Sequence, residues 1–393
     1  MKITLINGGR GASSFINYLL KNDKYELASI VNAYDDGKST GTIRDFFNIL
    51  GPSDIRKVQS LFLNKNDRNY KFNLKLFSFR FDSKITNTEA KEEINKLLNH
   101  QKNQIIDHNI FKNKKYKKLL QYLTLFKKKL ILLENTKKQL FNFSDCSIIN
   151  CIYAGALLKY KNNIEKSIKS ISSVFKISSK VLVNSNSKRY LYGIRANGEI
   201  LDTEKDIVEI RSNEKIDEIY LLKKKISLDK IKNYSINKKK QFLSNLHSSP
   251  QLSKLTKKYI LNTDYLFFCP GTQHSSLFPT YLTKNFLSIL KKSKAKKIYI
   301  TNIGADYETP DYKASDYING AVKYLNKYDK VGNDLKLFDY IFINNPKNSN
   351  KNYVKVDHKQ LKLFKMKIII DNFEYKNKNG LHDSSKIFKY LKF

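Results

Sequence analysis

The sequence predicts an α/β fold: a mostly parallel sheet flanked by helices, with a small antiparallel hairpin unit and helical insertions. Three observations carry that prediction. Short apolar runs alternate with helical patterns at both ends of the chain. Glycine-bearing loops follow several of those runs, as a strand-to-helix turn requires. Asn197-Gly198 separates two alternating segments, the strongest short hairpin signal.

The elements follow in order. Ile3 to Ile6 reads as a strand, and Asn7-Gly8-Gly9-Arg10-Gly11 as its turn into a helix from Ala12 to Lys21. Phe15, Tyr18, Leu19 and Leu20 of that helix suit a sheet face. Leu27 to Asn32 is a second strand, entering Asp35-Asp36-Gly37-Lys38-Ser39-Thr40-Gly41 with Arg44 just beyond, then Gly51-Pro52-Ser53-Asp54-Ile55-Arg56. Residues 60–145 are rich in Lys and Asn, with amphipathic stretches at Glu89 to Leu98 and Tyr116 to Leu133, and read as a peripheral helical segment. Ile148 to Leu158 and Ile164 to Phe175 read as helices. The period then changes: Lys180 to Asn184, Tyr190 to Arg195 and Glu199 to Leu201 read as strands, within an antiparallel unit over 180–222. A lysine-rich helical segment fills 223–260. Tyr265 to Cys269 is an apolar, buried strand that ends in Pro270-Gly271-Thr272-Gln273-His274-Ser275-Ser276. Lys297 to Thr301, ending at Asn302, then Tyr340 to Ile343 and Lys367 to Asp371 complete the sheet. The whole reads as a single α/β domain over 1–393.

Composition narrows the function classes. A hydrophobic share of 41% suits a globular core. No run of about 18 apolar residues is present, so no membrane span is expected. Met1-Lys2-Ile3-Thr4 enters a strand directly, without the pattern of a signal peptide. Cys146, Cys151 and Cys269 lack metal-ligand spacing, so buried free thiols in a reducing cytoplasm are expected. The net charge of +37 would ordinarily point to nucleic acid. Only eight of the 73 basic residues are arginine, and the lysines are scattered among abundant Asn, Ile, Phe and Tyr. That pattern is what an AT-rich genome imposes on any surface, so nucleic acid is not expected as a partner, while attraction for anionic small molecules is.

The loops all leave strands at the carboxyl end, where open α/β sheets bind ligands. Gly8, Gly9, Arg10 and Gly11 let the backbone approach a phosphate; a tight structural turn would need the same glycines. Asp35 and Asp36 suit either Mg²⁺ or a ribose hydroxyl, against a solvated acid pair. Ser39, Thr40 and Arg44 supply hydroxyls and a fixed cation for a phosphate, while Ser39 or Thr40 would also serve as a helix N-cap and Arg44 as a partner of Asp45 or Asp54. Gly271, Thr272, Gln273, His274, Ser275 and Ser276 read as a second anion or sugar cradle, without the signature of a nucleophilic triad. In His382-Asp383, Asp383 is a natural N-cap, and ligand contact is the other reading. Cys146 and Cys151 read as buried structural residues.

In this order the motifs resemble the superfamily of 2-phospho-L-lactate transferases (CofD-like) and gluconeogenesis factors (YvcK-like), over nearly the whole chain. Gly8 to Gly11 is similar to its G-G-T-G loop, Asp35 to Arg44 to D-D-G-G-S-S-G-x-L-R, and Pro52 to Arg56 to P-G-D-I-R. Ser147 to Gly155 resembles S-x-G-N-L-x-x-A-G, carrying over Asn150. Pro270 to Ser276 resembles P-G-S-x-x-T-S. Asn302 through Ala314-Ser315-Asp316 resembles N-x-x-x-x-x-E-T-x-x-x-x-A-S-D, and His382-Asp383 a late H-D. Arg10 replaces a small residue, Ile149 replaces the glycine before Asn150, and Gln273-His274 lies where the gluconeogenesis-factor branch usually differs. The Asp-rich segment of deazaflavin-using transferases is missing, so that acceptor is not carried over.

The resemblance implies a Rossmann-like protein that holds a nucleotide or nucleotide sugar, in a cytoplasmic homodimer. In the transferase branch a phospholactyl-type group passes from a nucleotide-activated donor to an acceptor hydroxyl with Mg²⁺. Asp35 and Asp36 would then hold the metal or assist the acceptor, and Arg44 and Arg56 offset charge beside Asp54. The other branch implies a nucleotide-sugar-binding regulator without turnover. Asp35-Asp36 does not separate the two, since both branches carry the pair.

Overall fold

The computed structural model describes residues 1–34, 37–107, 113–209, 212–328, 337–346 and 352–391, with the backbone alone at 38, 39, 204, 205 and 209. Twelve strands are found among them: β1 Lys2–Ile6, β2 Glu26–Val31, β3 Lys180–Val183, β4 Tyr190–Arg195, β5 Ile200–Leu201, β6 Ile216–Leu222, β7 Tyr265–Phe268, β8 Lys296–Ile300, β9 Tyr340–Asn344, β10 Lys367–Asp371, β11 Glu374–Tyr375 and β12 Lys378–His382. Seven form one sheet in the order β10-β9-β8-β7-β1-β2-β3. The pairs β1–β2, β1–β7, β7–β8, β8–β9 and β9–β10 are parallel, with Thr4 opposite both Ala28 and Leu266. Strands covered on both faces read as continuous apolar runs, as in Ile3–Ile6 and Leu266–Phe268, all buried. The sequence expectation of a mostly parallel sheet with helical insertions holds.

Strand order turns back at β1: β2 and β3 lie on one side, and β7 to β10 on the other. The loops after β1 and β7 therefore leave neighbouring strands in opposite directions around the sheet. In such sheets a crevice opens at that point.

The chain divides into two compact units, residues 1–32 with 182–393, and residues 33–181. In the first, the helix Ser13–Leu19 packs on the C-terminal helix Ser384–Tyr390. Tyr18 stacks on Phe388 with ring centroids 4.7 Å apart, and the Ser384 hydroxyl donates to the Ser14 carbonyl at 3.0 Å. Beside the large sheet, β5-β4-β6 forms a three-stranded antiparallel sheet. The Asn197-Gly198 turn joins β4 to β5 as its sequence predicts, with Gly198 at φ +87°, the left-handed region glycine adopts without strain. Lys180–Val183 is the edge strand of the large sheet, and the antiparallel sheet begins at Tyr190.

The second unit is helical: Lys38–Phe47, Ser53–Leu61, Tyr70–Ser78, Asn87–Leu98, Lys117–Lys137, Ile148–Lys159 and Ile164–Val174. Gly155 lets two of these cross closely, because a Cβ there would lie 1.8 Å from the Tyr122 carbonyl oxygen. Phe47, Phe126, Phe141 and Phe143 pack beside that crossing. No helix among the described residues is long and apolar enough to cross a membrane.

Candidate functional site

The carboxyl ends of β1, β7 and β8 meet in a cleft of about 430 Å³. Its lining comes from four stretches: Arg10, Gly11, Ser13, Ser14 and Asn17 after β1; Pro270 and Gly271 after β7; Asn302 to Gly304 after β8; and Tyr375, Lys378 and Gly380 to His382 of the β11–β12 hairpin. Arg10 and Gly11 are exposed, and Gly8 and Gly9 are buried beneath them. Glycine at 11 is required by close approach: a Cβ there would lie 2.3 Å from the Pro270 carbonyl oxygen. Asn7 fastens the base of the loop, accepting from the Ser29 hydroxyl at 2.6 Å while its Nδ2 donates to the Gly8 carbonyl at 2.5 Å.

Asn302 grips the facing loop at both sides of one residue. Its Oδ1 accepts from the Gly271 amide at 2.9 Å, and its Nδ2 donates to the Gly271 carbonyl at 3.0 Å. His382 enters the same cleft, though only 7% exposed. Its ring bonds the backbone of Thr301, and burial lowers its pKa to about 4, so it stays neutral. Phe15 packs 5.9 Å from it and fixes the ring plane.

The rest of the second loop turns inward. Gln273–Leu277 forms a single π-helical turn, and all five residues are buried. Gln273 Nε2 donates to the Gly271 carbonyl at 2.8 Å, and the Thr272 hydroxyl donates to that of Ser276 at 2.9 Å. The amides of His274 and Ser275 both donate to Glu308 Oε2, at 2.7 and 3.1 Å, and the Ser275 hydroxyl donates to Oε1. Burial, reinforced by Asp306, pushes the Glu308 carboxyl up to about 8. Burial, with Lys323 and Arg195 adding, drives the His274 imidazole down to about 3. The ring of His274 bonds the Ile216 backbone and packs against Phe278.

The 33–181 unit holds a constellation of its own. The helix Lys38–Phe47 begins at Gly37, not at Ser39 or Thr40, so Thr40 stands inside its first turn. Asn150, at the start of Ile148–Lys159, donates to the Thr40 hydroxyl at 3.3 Å. Asn150 Oδ1 and Ser147 Oγ are buried with no hydrogen-bond partner among the described residues. Arg44 is fully buried and donates to the Tyr34 carbonyl at 2.5 Å. Asp54 pairs with Lys57 at 3.0 Å, and Arg56 is buried. Asp35, Asp36 and the side chain of Ser39 lie outside the described residues.

A model of the family described as "2-phospho-L-lactate transferase CofD" matches residues 3–374. The chain belongs to the CofD family. Its relatives include a protein from Clostridium acetobutylicum, 26% identical over 99% of this chain and 68% of that one. Another, from Streptococcus pyogenes serotype M3, is 23% identical over 99% and 96%, and one from Thermotoga maritima is 23% identical over 83% and 76%. All three carry the name "Putative gluconeogenesis factor". A crystal structure of a UPF0052-family protein from Bacillus halodurans shares the fold, with a TM-score of 0.67 at 20% identity and 100% of both chains covered.

Of the residues picked out by sequence, this CofD-family chain brings Arg10, Gly11, Gly271 and Asn302 to one cleft, and Thr40 and Asn150 into contact with each other. Asp383 caps the last helix, its carboxylate accepting from the Ser385 amide at 3.2 Å, while His382 takes the cleft position. Sequence reasoning missed Tyr375 and Lys378, because β11 and β12 are too short to show alternation. It also passed over Glu308, although Glu308-Thr309 stands on the E-T of the motif from Asn302 to Asp316.

Proposed function

We propose that this CofD-family protein is a transferase that takes a nucleotide-activated phosphoester into the cleft at the ends of β1, β7 and β8, and passes its phosphorus-containing group to an acceptor hydroxyl. The observation that carries this reading is the meeting of Arg10, Gly11, Gly271 and Asn302, far apart in sequence, on one cleft at the turning point of the strand order. Arg10 and Lys378 supply cations for phosphate oxygens, Ser13 and Ser14 supply hydroxyls, and Tyr375 offers a ring for a flat base. Neutral His382, facing the same space, offers a hydrogen-bonding ring without adding charge.

Asp35 and Asp36 would hold Mg²⁺, since adjacent carboxylates are hard oxygen donors that suit this ion. When bound, the ion would offset charge on the transferring group; the chain's own residues orient donor and acceptor.

A second reading is a nucleotide-sugar-binding regulator without turnover, favoured by the names of relatives that align over nearly the whole chain. The separating measurement is thermal stabilisation by GDP, GTP, UDP-sugars and NAD, each with and without Mg²⁺, followed by a search for product. A ligand at 100 times its Kd adds about 2.7 kcal/mol. A Mg²⁺-dependent shift with guanine nucleotides and a released product support the transferase. A metal-independent shift with a UDP-sugar and no product supports the regulator. No shift with any nucleotide overturns both.

A further inference from the structure

Two successive backbone amides that converge on one point form a nest for an anion. The β7 loop contains such a nest at His274 and Ser275, and the fold fills it from within. Glu308, 1% exposed, comes from the segment after β8 and places Oε2 on both amides and Oε1 on the Ser275 hydroxyl. From the end of β2, Asn32 Nδ2 donates to the Ser276 carbonyl at 2.8 Å. From the end of β8, Asn302 holds Gly271 on both sides. Three side chains thus fix this loop by its backbone, and Gly271 is the part that faces the cleft.

We propose that Glu308 is a positioning residue, a resident carboxyl group that locks the β7 loop and denies its amide nest to a ligand phosphate, so that the ligand's anionic part is received on the Arg10–Gly11 side. This rests on the cleft reading above for the ligand's placement, though not for the lock itself. A phosphate entering the nest would meet a carboxyl group already bonded to both donors. Among the described residues, the basic group within ion-pair range of Glu308 is His274 Nδ1 at 4.0 Å, and burial keeps that ring neutral. The other titratable groups around this point are Asp306 on Glu308's own segment and Tyr312, with Arg195 and Lys323 beyond the His274 ring.

The test uses the full chain with Glu308→Gln and Glu308→Ala. Glutamine preserves the pattern: its carbonyl accepts both amides and its NH₂ donates to the Ser275 oxygen. Glu308→Gln is expected to melt close to wild type near pH 6.5 and to lose wild type's decline in stability toward pH 8.5. Glu308→Ala is expected to melt lower, to recover with added formate but not with chloride at equal ionic strength, and to speed amide exchange across 271–277 by roughly tenfold or more. Inorganic phosphate is expected to stabilise Glu308→Ala and not wild type. If the alanine variant does not fold, Glu308→Gln decides: a wild-type melt near pH 6.5 with amide exchange across 271–277 unchanged supports the lock, and faster exchange there overturns it. A glutamine variant as unstable as the alanine one, or an alanine variant indifferent to formate with unchanged exchange, also overturns it. With GDP as probe, Glu308→Gln is expected to bind like wild type. If GDP, GTP, UDP-sugars and NAD bind neither protein, the cleft reading fails, while the formate and exchange results still judge Glu308.

Discussion

The loops after β1 and β7 look alike in sequence and differ in what their backbone amides do. Each follows a buried parallel strand, carries glycine, and precedes a helical turn. The first presents Arg10 and Gly11 to the cleft. The second is buried from Gln273 onward, and its amides are bonded to Glu308. A strand–glycine–helix pattern therefore marks where backbone amides need an acceptor, and it leaves open whether that acceptor is a ligand or the protein's own carboxyl group.

The comparison predicts a separation of effects: second-loop changes should fall on stability, first-loop changes on ligand. Removing the Glu308 carboxyl should have the largest effect, because three buried donors lose their acceptor at roughly 1–3 kcal/mol each. Denaturant unfolding of Glu308→Ala checks it, and an effect below about 1 kcal/mol would erase the distinction. Next is Gly11→Ala, the one change that strikes both loops at once. Its Cβ meets backbone at Pro270, which cannot step aside like a flexible side chain, so a loss of about 1–3 kcal/mol and weaker GDP binding are expected.

The pH profile sharpens the contrast further. Glu308 is raised to about 8, so in the window from its ordinary value near 4.5 up to 8 the native state holds a proton that the unfolded chain has released, and stability falls as pH rises. Half-buried His247 and buried His274 and His382 are lowered to about 3, 3 and 4, so they contribute the opposite slope from those values up to about 6.5. Stability should peak near pH 6.5 in wild type and level off above it in Glu308→Gln, as thermal melts across pH would show. The smallest effects are expected from Arg10→Ala and Lys378→Ala. Each should leave the melt unchanged and weaken GDP binding by roughly two- to tenfold, read by calorimetry at two salt concentrations. A drop in melting temperature for either would break the division.

Much of this was legible in the chain, and the gaps have physical causes. Tyr190–Arg195 and Lys367–Asp371 appear as strands with the expected bounds, because apolar β-rich runs bounded by turn residues permit little else. Arg10, Gly11, Gly271 and Asn302 could be placed at one end of the sheet because each comes soon after an apolar strand run, while their meeting in one cleft is visible only in the structure. Lys180–Val183 was misplaced into the antiparallel unit, since a four-residue apolar run does not reveal which sheet it joins. Glu308 was passed over because a buried acid and an exposed acid look the same in sequence; only the convergence of two amides distinguishes them. Tyr375 and Lys378 belong to strands set by tertiary contact rather than by pattern.

The bond from Ser384 to Ser14 joins residues 370 positions apart, and the hairpin just before it supplies one wall of the cleft. At 5–20 residues per second, the ribosome makes the Arg10 loop about 20 to 70 s before that wall exists. During synthesis the helix Ser13–Leu19 waits with the face that Phe388 will cover still open. The cleft of the newborn chain thus stays open on one side until residues 375–382 have been made, and a chain cut short before Tyr375 lacks that wall.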